Sequence, residues 1–215
     1  MAEITSIEPQ KKGNRYNIFL DGKFAFGADE DLVVNYRLVV GKKIDPQDLD
    51  KLLLEAQVGK LMERMYGLFS FRARSEKEIR DYLKRKNFQA KIKDGEEISD
   101  LVTEFLMSRL KQKGLINDLE FAKSWVDARR KSKQKGIRAL KAELWQKGIN
   151  REIIDQVVQA GGEEELAQIA LAKKVKQWEG LPRLEFKKKA IEFLMRRGFS
   201  YNVASDVVEK SPKKG

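Results

Sequence analysis

This 215-residue sequence predicts a mainly α fold: tandem three-helix repeats in an elongated, curved array, preceded by a small N-terminal β-hairpin and helix extension. The first observation behind that expectation is a recurring helix end. Leu144-Trp145-Gln146-Lys147-Gly148-Ile149 aligns with Leu194-Met195-Arg196-Arg197-Gly198-Phe199, and with Leu83-Lys84-Arg85-Lys86-Asn87-Phe88, where Asn stands for Gly. Gly adopts the left-handed conformation that closes many helices, and Asn tolerates it, so all three segments read as helix stops. The second is a paired apolar stripe repeated in three downstream helices: Leu101, Val102, Phe105 and Leu106; Ile153, Ile154, Val157 and Val158; Val203, Ala204, Val207 and Val208. Pairs spaced four apart form one face of a helix. The third is composition, with 41% hydrophobic residues and only 4 Pro, which suits a folded and largely helical chain.

The N-terminal elements differ in pattern. Residues 16–20 and 23–27 are short segments with aromatic and aliphatic side chains separated by Asp21-Gly22, a two-residue hairpin signal, and residues 4–7 supply a third strand beyond a basic turn at 11–14. So few strands need a supporting helix, predicted over 28–40 from Leu32, Val33, Tyr36 and Val40, behind an acidic first turn. Asp45-Pro46 then starts a helix in which Gly59 is expected as a bend or break, with the apolar stripe carried on to about Phe71. Ser75-Glu76-Lys77-Glu78 has the form of a capping box and opens the next helix, over 76–86. A turn is expected at Asp94-Gly95. The remaining helices are expected at 98–112, 118–130, 137–147, 151–159, 163–178, 182–197 and 201–209. The corresponding boundaries are 1–57 for the extension, 58–114, 115–161 and 162–210 for the three repeats, and 211–215 for a disordered basic tail. Helices this short are marginal alone and must bury their stripes against neighbours.

Cysteine and histidine are both absent, which removes thiolate nucleophiles, disulfides, imidazole bases and the usual transition-metal ligands. Neither a Gly-rich phosphate loop with a trailing Lys nor a catalytic constellation is present, so no enzyme activity and no cofactor is expected. Glu96, Glu97 and Asp100 read as helix N-terminal acids and not as a divalent site. No apolar run reaches membrane-spanning length and the first residues lack a signal pattern, which points to a cytoplasmic protein that avoids membranes.

Charge placement is the strongest functional signal. Lys and Arg total 44 against 33 Asp and Glu, a net +11 that favours polyanionic partners. Between Asp127 and Glu143 no acid occurs, whereas Arg129, Arg130, Lys131, Lys133, Lys135, Arg138 and Lys141 do. Such a run at a helix end and loop can follow a phosphate backbone or a row of carboxylates. Further candidates are Arg72 and Arg74, Lys84 and Arg85, and Arg196 and Arg197. The bland reading is a solvated face, and several of these cations sit in last turns where the helix dipole alone favours them. Trp125, Trp145 and Trp178 fall at apolar spacing and read as core, with base stacking as the alternative.

The sequence resembles the bacterial RecX regulators of the RecA recombinase. The likeness rests on Arg72-Ala73-Arg74-Ser75 with Glu78, Ile79 and Leu83; on Gly114-Leu115-Ile116-Asn117-Asp118 with Phe121 and Ala122; on Lys147-Gly148-Ile149; and on Arg197-Gly198-Phe199. It covers about residues 60–210, and the N-terminal hairpin looks like an extension found on some members. Asn87, where Gly is common, and the insertion at 89–97 are departures. The resemblance implies three tandem three-helix repeats in a curved, elongated, non-enzymatic molecule. It also implies binding to RecA and to the RecA–DNA filament, on single-stranded or double-stranded DNA, with damping of recombinase, ATPase and co-protease activities in DNA repair and the SOS response. A monomer is expected. The alternative is a RecA-independent DNA-binding protein of the helical-repeat type.

Overall fold

The structure, a computed structural model, describes all residues except 12–13, 94, 160, 179 and 212–215. The expected turn at Asp94, part of the basic turn at 11–14 and most of the C-terminal tail therefore lie outside the described residues. The chain divides into two compact units, residues 1–73 with 80–116, and residues 74–79 with 117–215.

The first unit begins with strands β1 (Ala2–Pro9), β2 (Arg15–Leu20) and β3 (Lys23–Asp29). Asp21 and Gly22, at φ 48° and 80°, form the tight turn between β2 and β3 that the dipeptide predicts. Helix α1 (Glu30–Asn35) is shorter than the expected 28–40. Arg37 adopts a left-handed φ of 48°, and residues 41–42 hydrogen-bond to the backbone of Ile4. A short strand β4 (Lys43–Ile44) pairs antiparallel with Ala2 and Glu3, giving the order β3-β2-β1-β4. Sheet pairing thus ends the helix early: Leu38 is buried, while Val40, assigned to the apolar face, is exposed.

Helix α2 (Pro46–Phe71) is continuous through Gly59. A Cβ there would lie 2.4 Å from the Asp29 carboxylate, so Gly59 serves close approach to the end of β3 and makes no break. Ile4, Ile18, Phe26, Leu32 and Leu52 are among the buried residues joining sheet and helix. Helix α3 (Glu76–Ile92) runs past Asn87, contrary to the expected stop. Asn87 keeps right-handed geometry and instead bonds the backbone of Ile98 in both directions, each at 2.7 Å, tying back the segment that follows α3. Helix α4 (Asp100–Gln112), capped by Ser99, buries Val102, Leu106, Met107 and Leu110. Leu101 and Phe105, placed in its core stripe by spacing, are instead 59% and 44% exposed.

The second unit contains α5 (Asp118–Lys133), α6 (Ile137–Gln146), α7 (Arg151–Val157), α8 (Glu163–Val175) followed by a 3-10 turn, α9 (Arg183–Arg196) and α10 (Tyr201–Lys210), with the first turn of α3. Phe121, Leu140, Leu144, Ile149 and Ile154 anchor one core; Leu171, Leu194, Phe199 and Val207 anchor the next. Gly148 and Gly198 take φ 79° and 92° at the two helix ends where glycine stops are expected.

The joints within this unit follow one pattern. The α6–α7 turn docks on the start of α3: Ser75 Oγ donates to the Lys147 carbonyl at 2.7 Å, and the Glu76 amide donates to Asp118 at 2.9 Å. Correspondingly, the α9–α10 turn docks on the start of α6. The Gly136 amide donates to the Arg197 carbonyl at 3.0 Å, and the Ile137 amide to Glu163 at 2.8 Å. In each case an acid from the first residue of the next helical triplet satisfies an orphan amide at a helix N-terminus.

Candidate functional site

The basic run spans the last turn of α5, a three-residue connection and α6. Gln134 ends α5 at φ 41° and is buried. Its amide donates to the Lys131 carbonyl at 2.8 Å and its side-chain oxygen accepts from Lys173 at 2.8 Å, so the loop carrying the cations is tied down on both sides.

Acid-free in sequence, the run is not acid-free in space. Glu143, on the next turns of α6, accepts from Arg129 Nε and Trp125 Nε1, each at 2.8 Å, and from Lys135. Burial pushes its carboxyl up, but the three donors outweigh burial and hold it below the usual range. Arg129 also stacks 4.1 Å from the Trp125 ring centroid. Lys141 pairs with Asp155 at 2.6 Å, and that hydrogen bond holds the Asp155 carboxyl down. Arg130 is half-buried and donates to the Gln159 carbonyl at 3.1 Å. Arg197 donates to the Lys133 carbonyl and lies over Phe193.

Four expected site residues, Arg129, Arg130, Lys135 and Arg197, are therefore engaged in holding the unit together. Three others, Lys131, Lys133 and Arg138, are exposed and make no ion pair among the described residues. The α5–α6 connection brings these three together on the second unit. Arg196 is exposed on the last turn of α9. Arg72 donates to the Ala73 carbonyl at 2.9 Å, Arg74 is half-buried, and Lys84 and Arg85 are exposed on α3. In the first unit Glu96 pairs with Lys60 and Glu97 with Lys91.

Besides Phe105, spacing misplaced one tryptophan. Trp125 and Trp178 pack on the cores, as expected, but Trp145 is 67% exposed. The signal was available: its counterpart in the repeat alignment is Lys84, a residue no core position would accept. Glu143 was missed because its partners lie 8, 14 and 18 residues away, beyond any local pattern.

Models of four parts of one family match the chain: the regulatory protein RecX N-terminal domain over residues 2–45, and the RecX first, second and third three-helix domains over 62–94, 117–158 and 162–208. A regulatory protein RecX of Bacillus velezensis is 34% identical over 215 residues, covering 98% of this chain and 78% of that protein. One from Listeria monocytogenes is 33% identical over 208 residues, covering 94% and 73%. A crystal structure described as regulatory protein RecX superposes with a TM-score of 0.75 at 28% identity, covering 98% of this chain and 100% of the other. With N-terminal and three-helix domains matched in order, the chain belongs to the RecX family of regulatory proteins.

Proposed function

We propose that this protein binds RecA and the RecA–DNA filament and inhibits recombinase, ATPase and co-protease activity, acting by binding and not by catalysis. The observation that carries the reading is the grouping of Lys131, Lys133 and Arg138 on the second unit, exposed and without an ion pair among the described residues, in a chain of the RecX family. An unpaired cation needs no internal partner broken before it meets a phosphate or a carboxylate, so its attraction is fully available to a partner. A bound regulator shifts the filament between states only by its differential affinity for them, and a rigid loop, pinned by Gln134, is suited to making that difference. With this reading goes a division into repeats at 58–114, 115–161 and 162–210.

The test is DNA-dependent ATP hydrolysis by RecA in the presence of the parent and of the triple variant Lys131→Glu, Lys133→Glu, Arg138→Glu. The parent inhibits; the variant keeps its helical circular dichroism and inhibits at least about tenfold less well, as loss of two or more charged contacts requires. Unchanged inhibition would make the cations a solvated face. Salt-dependent binding to bare DNA without any effect on RecA would favour the RecA-independent alternative.

A further inference from the structure

The exposed features of the described residues include a cleft of about 360 Å³ on the first unit beside Gln57, Lys60 and Arg64, the pair Leu101 and Phe105 on α4, and Trp145. The cleft is open and its acids are already ion-paired, and nothing identifies a cover for Leu101 and Phe105. Trp145 goes further.

An indole 67% exposed at the end of a ten-residue helix makes no packing contribution that the fold demands. The repeat itself demonstrates this: the same position carries Lys84 in α3 and Met195, 43% exposed, in α9. What singles out α6 is the company its indole keeps. Residues 138, 141 and 145 fall on one helical face, which places Arg138, Lys141 and Trp145 in a stripe about 10 Å long. The Lys77 ammonium donates to the Gln146 carbonyl at 3.2 Å, adding a cation at the Trp145 end. Among the described residues the acids paired nearby are Glu143, turned to Trp125 and its partners, Glu78, paired with Lys147, and Asp155, paired with Lys141 across an exposed contact that a phosphate can replace at little cost.

We infer that Trp145 is a stacking platform for an unpaired nucleobase, with Arg138 and Lys141 on the adjoining phosphates, so that the second unit prefers single-stranded nucleic acid. This rests on the nucleic-acid part of the proposed function and adds the form of the strand. In a duplex both faces of each base are covered by neighbours, whereas a single strand offers free faces that stack on aromatic side chains. A basic stripe alone would not discriminate; the indole supplies the difference.

The experiment is a titration of the full chain with oligo(dT) and with a matched duplex, following tryptophan emission and affinity for the parent, Trp145→Phe and Trp145→Ala. Because Trp145 is exposed, both variants are expected to keep the parent's melting temperature. Oligo(dT) should quench the parent, and the emission that remains from Trp125 and Trp178 in Trp145→Phe should be unmoved. Trp145→Phe should hold affinity for oligo(dT) within a few-fold, Trp145→Ala should lose about tenfold or more, and duplex affinity should change less. The inference is overturned if Trp145 emission does not respond, if Trp145→Ala binds oligo(dT) like the parent, or if duplex binding falls equally. It is also overturned if Trp145→Ala loses RecA inhibition while oligo(dT) binding is intact, which would assign the indole to a protein contact. Failure here with inhibition still abolished by the Lys131, Lys133 and Arg138 reversals would leave the proposed function standing.

Discussion

Glu143 accepts from Trp125, Arg129 and Lys135 while only 19% of its side chain remains exposed. A carboxylate with three donors is worth more than an exposed pair, because removing it leaves charged groups partly buried without a partner. Glu143→Gln should therefore cost about 1–3 kcal/mol at neutral pH. The cost should depend on pH in a defined direction. The folded-state carboxyl titrates below its ordinary value of 4.5, so its contribution is complete above that value and is lost as pH falls through the folded one. Denaturant melts of parent and Glu143→Gln should then differ at pH 7 and converge as pH drops below 4.5; a gap that stays constant would mean the charge is irrelevant and only shape matters. Arg129 belongs to the same cluster, so reversing it to Glu would set two carboxylates against each other and confuse loss of binding with loss of stability.

At the scale of elements, two glycines show how differently the same residue is used. Gly198 sits at φ 92°, and a Cβ there would come within 2.3 Å of the Ala139 amide nitrogen. Gly67 lies within α2 with nothing within 4 Å of the added atom. Gly198→Ala combines a disfavoured conformation with an overpacked joint and should destabilise the second unit by about 2–4 kcal/mol. Gly67→Ala should stabilise α2 by about 0.5–1 kcal/mol. Thermal melts followed by circular dichroism separate the two; equal shifts would contradict the joint described for Gly136, Arg197 and Gly198. The glycine stops at 148 and 198, the hairpin at Asp21-Gly22 and the N-cap Asp45 were readable because each is decided within a few residues. What was not readable depends on distant chain: β4 forms because Ala2 and Glu3 are there to pair with, and α3 continues because Ile98 gives Asn87 another use. The basic run was visible as a run, but which of its members are free is decided by Glu143, Asp155 and the Gln159 carbonyl, and that needs the fold.

At the scale of the whole molecule, the net charge of +11 is an average that hides two populations of cations. Those held by carboxylates within the fold, such as Arg129, Lys135 and Arg109, are already neutralised and add little to the field at contact distance. Those that make no ion pair among the described residues, such as Lys131, Lys133 and Arg138, are, on the proposed function, the first to release counterions to a nucleic acid. Salt dependence distinguishes the two, because the slope of log affinity against log salt counts the phosphates neutralised, at about 0.7 per contact on a single strand. Neutralising Lys131, Lys133 and Arg138 together to Gln should lower the magnitude of that slope by about 2 if each meets one phosphate. Changing Lys135 to Gln should leave the slope within error while lowering stability through Glu143. Binding of oligo(dT) across a salt series, with each variant's stability measured alongside, is the check. Equal changes in slope for the two sets would mean that the ion pairs inside the fold open on binding, and that charge is drawn from the whole chain and not from one surface.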